Sequence, residues 1–219
     1  MIQLFTAATP NGRKVSIMLE ELGVPYEVHP VNLSAGEQKT KDFLKMNPNG
    51  RIPVIVDNEE DFTVFESGAI LLYLARKYRK FIPADPKGQS QVEQWLMWQM
   101  GGLGPMQGQN HVFRHYASGE NSYSKERYYN ENLRLYGVMD DHLKHNEYLA
   151  GEYSIADIAC WPWVNSFEWA GIELAGFENL EKWHSRIKDR SAVLKGMQVP
   201  PSSKATVEEK KESGKSILI

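Results

Sequence analysis

The chain has 219 residues, 42% of them hydrophobic and 24% charged, with a net charge of −3. That composition is ordinary for a globular protein whose core is large enough to need no disulfide or metal staples. It excludes a basic nucleic-acid footprint, and a single cysteine, Cys160, excludes an intrachain disulfide or a CxxC redox pair.

The densest apolar run, Ala69 to Ala75, is too short to span a bilayer. Met1 leads straight into an apolar run without the basic and hydrophobic regions of a secretory signal, so a cytoplasmic protein is expected. Cys160 sits among Ile158, Ala159 and Trp161 and reads as a small buried hydrophobe.

Ile2–Phe5 reads as a strand. Asn11–Leu22 reads as a helix, because Val15, Met18, Leu19 and Leu22 recur at helical spacing. Between them lies Thr9-Pro10-Asn11-Gly12. Thr9 can cap the helix, and Pro10 suits its first turn, where an N–H would be unpaired anyway. A helix N-terminus carries partial positive charge and free N–H groups, and Thr9 and Asn11 add neutral hydrogen-bonding side chains. Such a tip suits an anion, for example a thiolate. No cysteine lies near it in sequence, so the sulfur has to arrive with a ligand.

Tyr26–Val31 reads as a second strand and Lys39–Met46 as a short helix. Pro53–Val56 and Phe62–Phe65 read as further strands, separated by the acidic turn Asp57 to Asp61, and Ser67–Tyr78 as a helix. The order βαβαββα predicts a small mixed sheet covered by helices. Its first pair is parallel with a right-handed crossover, and its last is an antiparallel hairpin.

Two further motifs fall on this segment. In Arg51-Ile52-Pro53-Val54 a proline opens a strand. A cis peptide there would turn the Ile52 N–H and C=O outward, where a peptide-like ligand can pair with them. Glu66-Ser67, at a helix start, admits two readings. One is capping by a dipole-matched acid. The other is an amino-acid clamp, with Glu66 attracting an α-ammonium and the Ser67 hydroxyl and N–H taking an α-carboxylate.

Phe81 to Gly88 carries two prolines and a glycine and reads as a linker. Beyond it Gln91–Gln99, Lys125–His145, Ile155–Ala170 and Leu180–Arg190 read as a helical bundle. Met100 to Met106 lacks dinucleotide-loop spacing and reads as a helix kink or close helix approach. His111 and His115 share a helix face without a third ligand, so no metal is expected. Arg127, within Lys125-Glu126-Arg127, reads as part of a solvated face. Ser154-x-x-Asp157 is a capping box, with Tyr153 and Ile158 placed as its staple. The expected organisation is a first domain over 1–80, a linker over 81–88, a helical domain over 89–200 and a mobile, solvated tail over 201–219.

Over about residues 1 to 200 the chain resembles the glutathione transferases, and more finely their bacterial nu-class group of disulfide-bond oxidoreductases. The motifs that carry the resemblance are Thr9 to Gly12, Ile52-Pro53, Phe65 to Leu72, Gly101 to Pro105, Gly108-Gln109-Asn110-His111 and Ser154 to Val164. It implies an α/β, thioredoxin-like first domain, an all-α second domain and a homodimer.

The resemblance also implies that glutathione is the bound co-substrate. Its γ-glutamyl end would lie on Glu66 and Ser67, and its cysteinyl part on the Ile52 backbone beside Arg51 and Pro53. Asn11 and Gln38 match contact positions, and Arg127 matches an arginine that reaches the neighbouring subunit's site. Thr9 and Asn11 stand where many transferases use Tyr, Ser or Cys to steady the thiolate. The implied activity is thiol–disulfide exchange on a small disulfide, with the second thiol from another glutathione, and reduction of organic hydroperoxides by the same thiolate. Two alternatives stay open. One is conjugation to an electrophile, with Trp98, Met106, Phe113 and Trp163 as candidate pocket residues that also suit core packing. The other is a non-catalytic glutathione-binding dimer module. No nucleic-acid, membrane or metal partner is expected.

Overall fold

The structure is a computed structural model that describes residues 1–201. All but the first residue of the expected tail therefore lies outside the described residues. The described residues divide into two compact units, 1–78 together with 190–201, and Arg79–Asp189.

The first unit follows the predicted order: β1 (Ile2–Thr6), α1 (Pro10–Leu22), β2 (Tyr26–Pro30), α2 (Lys41–Met46), β3 (Val54–Asp57), β4 (Phe62–Phe65) and α3 (Ser67–Tyr78). The sheet order is β2-β1-β3-β4. β1 and β2 are parallel, while β1–β3 and β3–β4 are antiparallel. The predicted Lys39–Met46 helix is split. A 3-10 turn, Glu37–Lys39, precedes Thr40, which caps α2 by accepting the Phe43 N–H. Ile2, Leu4, Val54, Ile55, Ile70, Leu71 and Leu74 are buried, as are Val15, Ile17, Met18 and Leu19 of α1.

α1 is more deeply buried than an amphipathic surface helix, because every residue from Gly12 to Leu19 is buried, Arg13, Lys14 and Ser16 included. Part of the cover comes from a helix that periodicity did not reveal, α10 (Ser191–Gly196). The Ser16 hydroxyl donates to the Gly196 carbonyl at 2.7 Å, and Arg190 makes a paired contact with Glu21 at 2.7 and 2.9 Å. A Cβ on Gly196 would lie 2.6 Å from the Ile17 Cα, so only glycine permits this approach. The described segment from Arg190 therefore groups with the first unit, whereas the sequence reading carries the helical domain to 200.

The second unit is all helical. It holds α4 (Pro86–Trp98), α5 (Gly104–His111), α6 (Ser122–Leu143), α7 (Ile155–Val164), α8 (Phe167–Ala170) and α9 (Glu178–Lys188). α4 begins inside the expected 81–88 linker, because Asp85 caps it by accepting the Gly88 N–H at 2.9 Å and Pro86 fills its first turn. The predicted Ile155–Ala170 helix breaks at Asn165-Ser166, where the Ser166 hydroxyl turns back to the Trp163 carbonyl at 2.7 Å. Met100 to Met106 is indeed irregular. Gln99–Leu103 is a π-helical turn leading into α5, and Val112–Tyr116 is a second one at its far end. Gly104 allows close approach, since a Cβ there would meet the Gln99 Nε2 at 2.5 Å.

Buried polar groups join these helices. Gln107 donates to the Trp163 carbonyl at 2.7 Å and accepts from the Tyr136 hydroxyl at 3.2 Å. The capping box is present at Ser154 and Asp157. Asp157 is wholly buried and accepts from the N–H groups of Leu149 and Ser154 and from the Trp183 indole, at 2.8 to 3.0 Å. Burial pushes its carboxyl up to about 6, against these bonds, which pull the other way. Tyr153 packs against Phe81 and Tyr148. Cys160 is fully buried, as read from its neighbours. No helix among the described residues is long and apolar enough to cross a membrane.

Candidate functional site

The strand directions bring the predicted motifs of the first unit to one edge of its sheet. Phe5 near the end of β1 pairs with Val54 at the start of β3, which pairs with Phe65 at the end of β4. Thr6 pairs with Pro30, the last residue of β2. The chain therefore leaves β1 toward Thr9, leaves β2 toward Gln38, enters β3 from Ile52-Pro53 and leaves β4 into Glu66-Ser67, all at the same edge.

At the tip of α1, Thr9 is extended (φ −119°, ψ 161°) and its Oγ1 accepts the Gly12 N–H at 3.1 Å. The hydroxyl oxygen is thus occupied as the helix cap, and its proton is the group it can donate. Gly12 is obligatory, because a Cβ there would lie 2.2 Å from the Ala7 carbonyl oxygen and 2.5 Å from the Thr6 Oγ1. Asn11 is half-buried in the first turn.

The Ile52-Pro53 peptide is cis. Pro53 is buried, Ile52 half-buried and Arg51 exposed. The loop before them is braced by a residue that sequence reasoning missed. Asn47 is 1% exposed, donates to the Arg51 carbonyl at 2.7 Å and accepts the Asn49 N–H at 2.9 Å. Gly50 completes the turn at φ +61°.

Glu66 is exposed and has φ +69°. An ordinary N-cap is extended, so this left-handed non-glycine residue does not fit simple capping. It stores about 1–3 kcal/mol of backbone strain of the kind found at ligand clamps. Its carbonyl accepts the Ile70 N–H at 2.8 Å, so α3 begins directly after it. Ser67, the first residue of α3, is buried and its Oγ accepts from Lys14 Nζ at 3.2 Å. Lys14 was also missed. Its one sequence signal is a lysine four residues before Met18, on the inward side of α1.

Gln38 is 2% exposed. Its Nε2 donates to the Leu33 carbonyl at 3.4 Å, and its Oε1 is buried without a protein partner. An acceptor in that state suits a donor from a ligand or water.

The remaining candidates lie in the second unit. Arg127 is exposed on α6 and lines a cavity of about 620 Å³ with Met106, Tyr123, Glu126 and Tyr128. Trp98 lines a different cavity of about 490 Å³ beside Trp95 and His142. Phe113 stacks on Tyr128, and Trp163 is buried against His111. Trp98 and Met106 thus line separate cavities. His111 is buried with an unpartnered Nε2, and burial, with His115 and Arg114 nearby, pushes its pKa down to about 3. Among the described residues no group of three or more His, Cys, Asp or Glu could hold a metal ion.

Comparison with known proteins accords with this geometry. Residues 1–76 match the family profile for the glutathione S-transferase N-terminal domain, and residues 105–190 that for its C-terminal domain. The chain is 47% identical to the disulfide-bond oxidoreductase YfcG of Escherichia coli, over 88% of this chain and 92% of that protein. It is 35% identical to YghU, a disulfide-bond oxidoreductase of the same organism, over 89% of this chain and 73% of that protein. Among solved structures, a glutathione transferase from Pseudomonas putida with one glutathione disulfide bound per subunit aligns at a TM-score of 0.85. It is 42% identical and covers 91% of both chains. With both family profiles matched along its length and its sheet edge built as described, the chain belongs to the glutathione S-transferase family.

Proposed function

We propose that this protein is a glutathione-dependent thiol–disulfide oxidoreductase. The observation that carries the reading is the convergence at one sheet edge of a capped helix tip at Thr9, the Ile52-Pro53 loop and the strained Glu66-Ser67 corner. These supply, in order, a thiolate site, a peptide-like backbone and an amino-acid clamp. The names of the E. coli relatives and the glutathione disulfide bound in the P. putida structure support it.

In this reading Glu66 attracts the γ-glutamyl ammonium, and Ser67 with the first N–H groups of α3 takes its carboxylate. The Ile52 backbone pairs with the cysteinyl part, while Gln38, Arg51 and Asn11 hold the remainder. The sulfur lies at the α1 tip, where the Thr9 hydroxyl proton, Asn11 and the helix N–H groups favour the thiolate. The thiolate attacks a disulfide sulfur, a new mixed disulfide forms, and the displaced thiolate leaves and takes a proton from solvent. A second glutathione resolves the mixed disulfide and yields glutathione disulfide. Attack of the same thiolate on an organic hydroperoxide would give a sulfenic acid and an alcohol.

Homodimerisation belongs to the same proposal. β4 exposes Phe62 at 50% and Phe65 at 38%, and a groove of about 780 Å³ lined by Phe62 and by Ala69, Leu72 and Tyr73 of α3 adjoins them. A second copy is a suitable cover for that face, and Arg127 would then serve the partner's site. A cytoplasmic, reducing location fits the need for a supply of glutathione.

The test is a titration of the purified protein with reduced and oxidised glutathione, followed by a disulfide-reduction assay and an aryl-halide assay on the same sample. Binding of either form with faster turnover of the disulfide is expected. Absence of binding to both removes the proposal. Faster conjugation of the aryl halide makes the protein an ordinary transferase, and binding without any turnover makes it a binding module.

A further inference from the structure

We propose that Lys14 is a positioning residue for the clamp: its buried ammonium fixes the Ser67 hydroxyl and selects a ligand that carries an α-carboxylate. This rests on the glutathione reading above and extends it to a residue that does not touch the ligand.

Lys14 is 0% exposed, on a helix buried on every side over this stretch. Lysine is almost never buried to that degree unless paired, because an ammonium loses several kcal/mol of hydration on leaving water. Its Nζ donates to Ser67 Oγ at 3.2 Å, and Ser67 is itself 3% exposed. An ammonium has three donors and no acceptor, so the serine oxygen must accept. That fixes the hydroxyl's orientation, and a hydroxyl that accepts from a cation is polarised to donate more strongly through its own proton. Ser67 opens α3, whose first N–H groups and partial positive charge face the same place. A full positive charge behind a hydroxyl at a helix N-terminus, all in a low-dielectric interior, is an anion-selective arrangement. The strained Glu66 beside it supplies the opposite charge for an ammonium. The two signs on adjacent residues match the zwitterionic end of an α-amino acid.

Lys14 lies five residues beyond Thr9, about 7.5 Å along the helix axis. One helix therefore serves both ends of the ligand, its tip the sulfur and its inner face the carboxylate. Lys14 should act on affinity rather than on the chemical step.

The experiment compares glutathione with 4-aminobutyryl-cysteinylglycine, which lacks only the α-carboxylate. Lys14→Met should weaken glutathione binding about tenfold, the scale of a lost charge-assisted bond, and leave the analogue unchanged. Its KM for glutathione should rise with kcat at saturation preserved. Lys14→Gln, which keeps a donor without the charge, should fall between. Loss of affinity equal for both compounds means a general structural role and overturns the proposal, as does no loss in either variant. Should neither variant fold, the Lys14 15Nζ resonance of the wild-type protein decides: it must be that of an ammonium and must move on binding glutathione but not on binding the analogue, and the same response to both overturns the proposal. Failure of the wild-type protein to bind glutathione at all overturns the functional reading itself, a result distinct from those.

Discussion

Thr9 carries two roles on one hydroxyl, and a single substitution separates them. Its oxygen accepts the Gly12 N–H and caps α1, while its proton is the proposed donor to the glutathione sulfur. Thr9→Ala loses both and cannot tell them apart. Thr9→Asp keeps the cap, because aspartate is at least as good an N-cap as threonine and suits the helix dipole. Stability should hold within about 0.5 kcal/mol or improve. The introduced carboxylate, however, faces the thiolate.

At a separation of about 4 Å and an effective dielectric of about 20, two like charges repel by about 4 kcal/mol, or about three pKa units. A bound thiol lowered from about 8.5 to about 6.5 would rise to about 9.5. Its thiolate fraction at pH 7 would fall from about three-quarters to about 0.3%. A more basic thiolate is also more nucleophilic, which returns about twentyfold of that loss for a Brønsted slope near 0.45. The net expectation is a loss of about tenfold in kcat at pH 7, with the rising limb of the pH–rate profile displaced by about three units toward alkali. The assay is disulfide reduction at saturating glutathione from pH 5 to 10, with thermal melts alongside. A folded variant whose profile stays within about half a unit of the wild type would refute the placement of the sulfur at the α1 tip.

Three further outcomes test the framework around the site. Asp157→Ala strands the N–H groups of Leu149 and Ser154 and the Trp183 indole in the interior; at about 1 kcal/mol or more each, the denaturant midpoint should fall by the equivalent of at least ~3 kcal/mol, and a loss below ~1 kcal/mol counts against the network. Gly196→Ala forces a Cβ onto the Ile17 backbone. It should cost ~1–3 kcal/mol, measured by urea unfolding, and an unchanged midpoint would mean that α10 does not clasp α1 in solution.

The last concerns pH. Burial holds His111 down at about 3 and His184 at about 4, whereas both titrate near 6.5 when unfolded. The unfolded chain therefore binds more protons below pH 6.5, and stability that is fully present above it is lost as pH falls toward the folded values. Each histidine costs ~2 kcal/mol by pH 5. Asp157 runs the other way over the same window. Its folded carboxyl, raised to about 6, takes a proton before the unfolded one does and returns ~1 kcal/mol by pH 5. The net is a falling melting temperature from pH 7 to 5. His111→Phe should flatten the slope by roughly half the histidine contribution, and an unchanged slope would show that His111 is protonated in the fold.

The amino-acid sequence by itself determined the local elements of the first unit and the motifs at their ends. Helical spacing, a Thr-Pro cap and short β-rich runs are near-neighbour signals, and β1 through α3 appear within a few residues of where they were read. The capping box at Ser154 was legible for the same reason. Tertiary structure alone decided what depends on partners far along the chain. Neither Lys14 nor Asn47 stood out in the sequence; they are buried braces because Ser67 of α3 and the Arg51 carbonyl before β3 accept from them. α10 is six residues long, too short for periodicity to reveal, and it exists because Gly196 fits against Ile17. The left-handed Glu66 is invisible to propensity, which disfavours that conformation; it stands where β4 turns into α3, with its carbonyl accepting the Ile70 N–H. Burial and backbone strain are properties of the assembled chain, so the sequence named the corners of the site and the fold supplied the charges behind them.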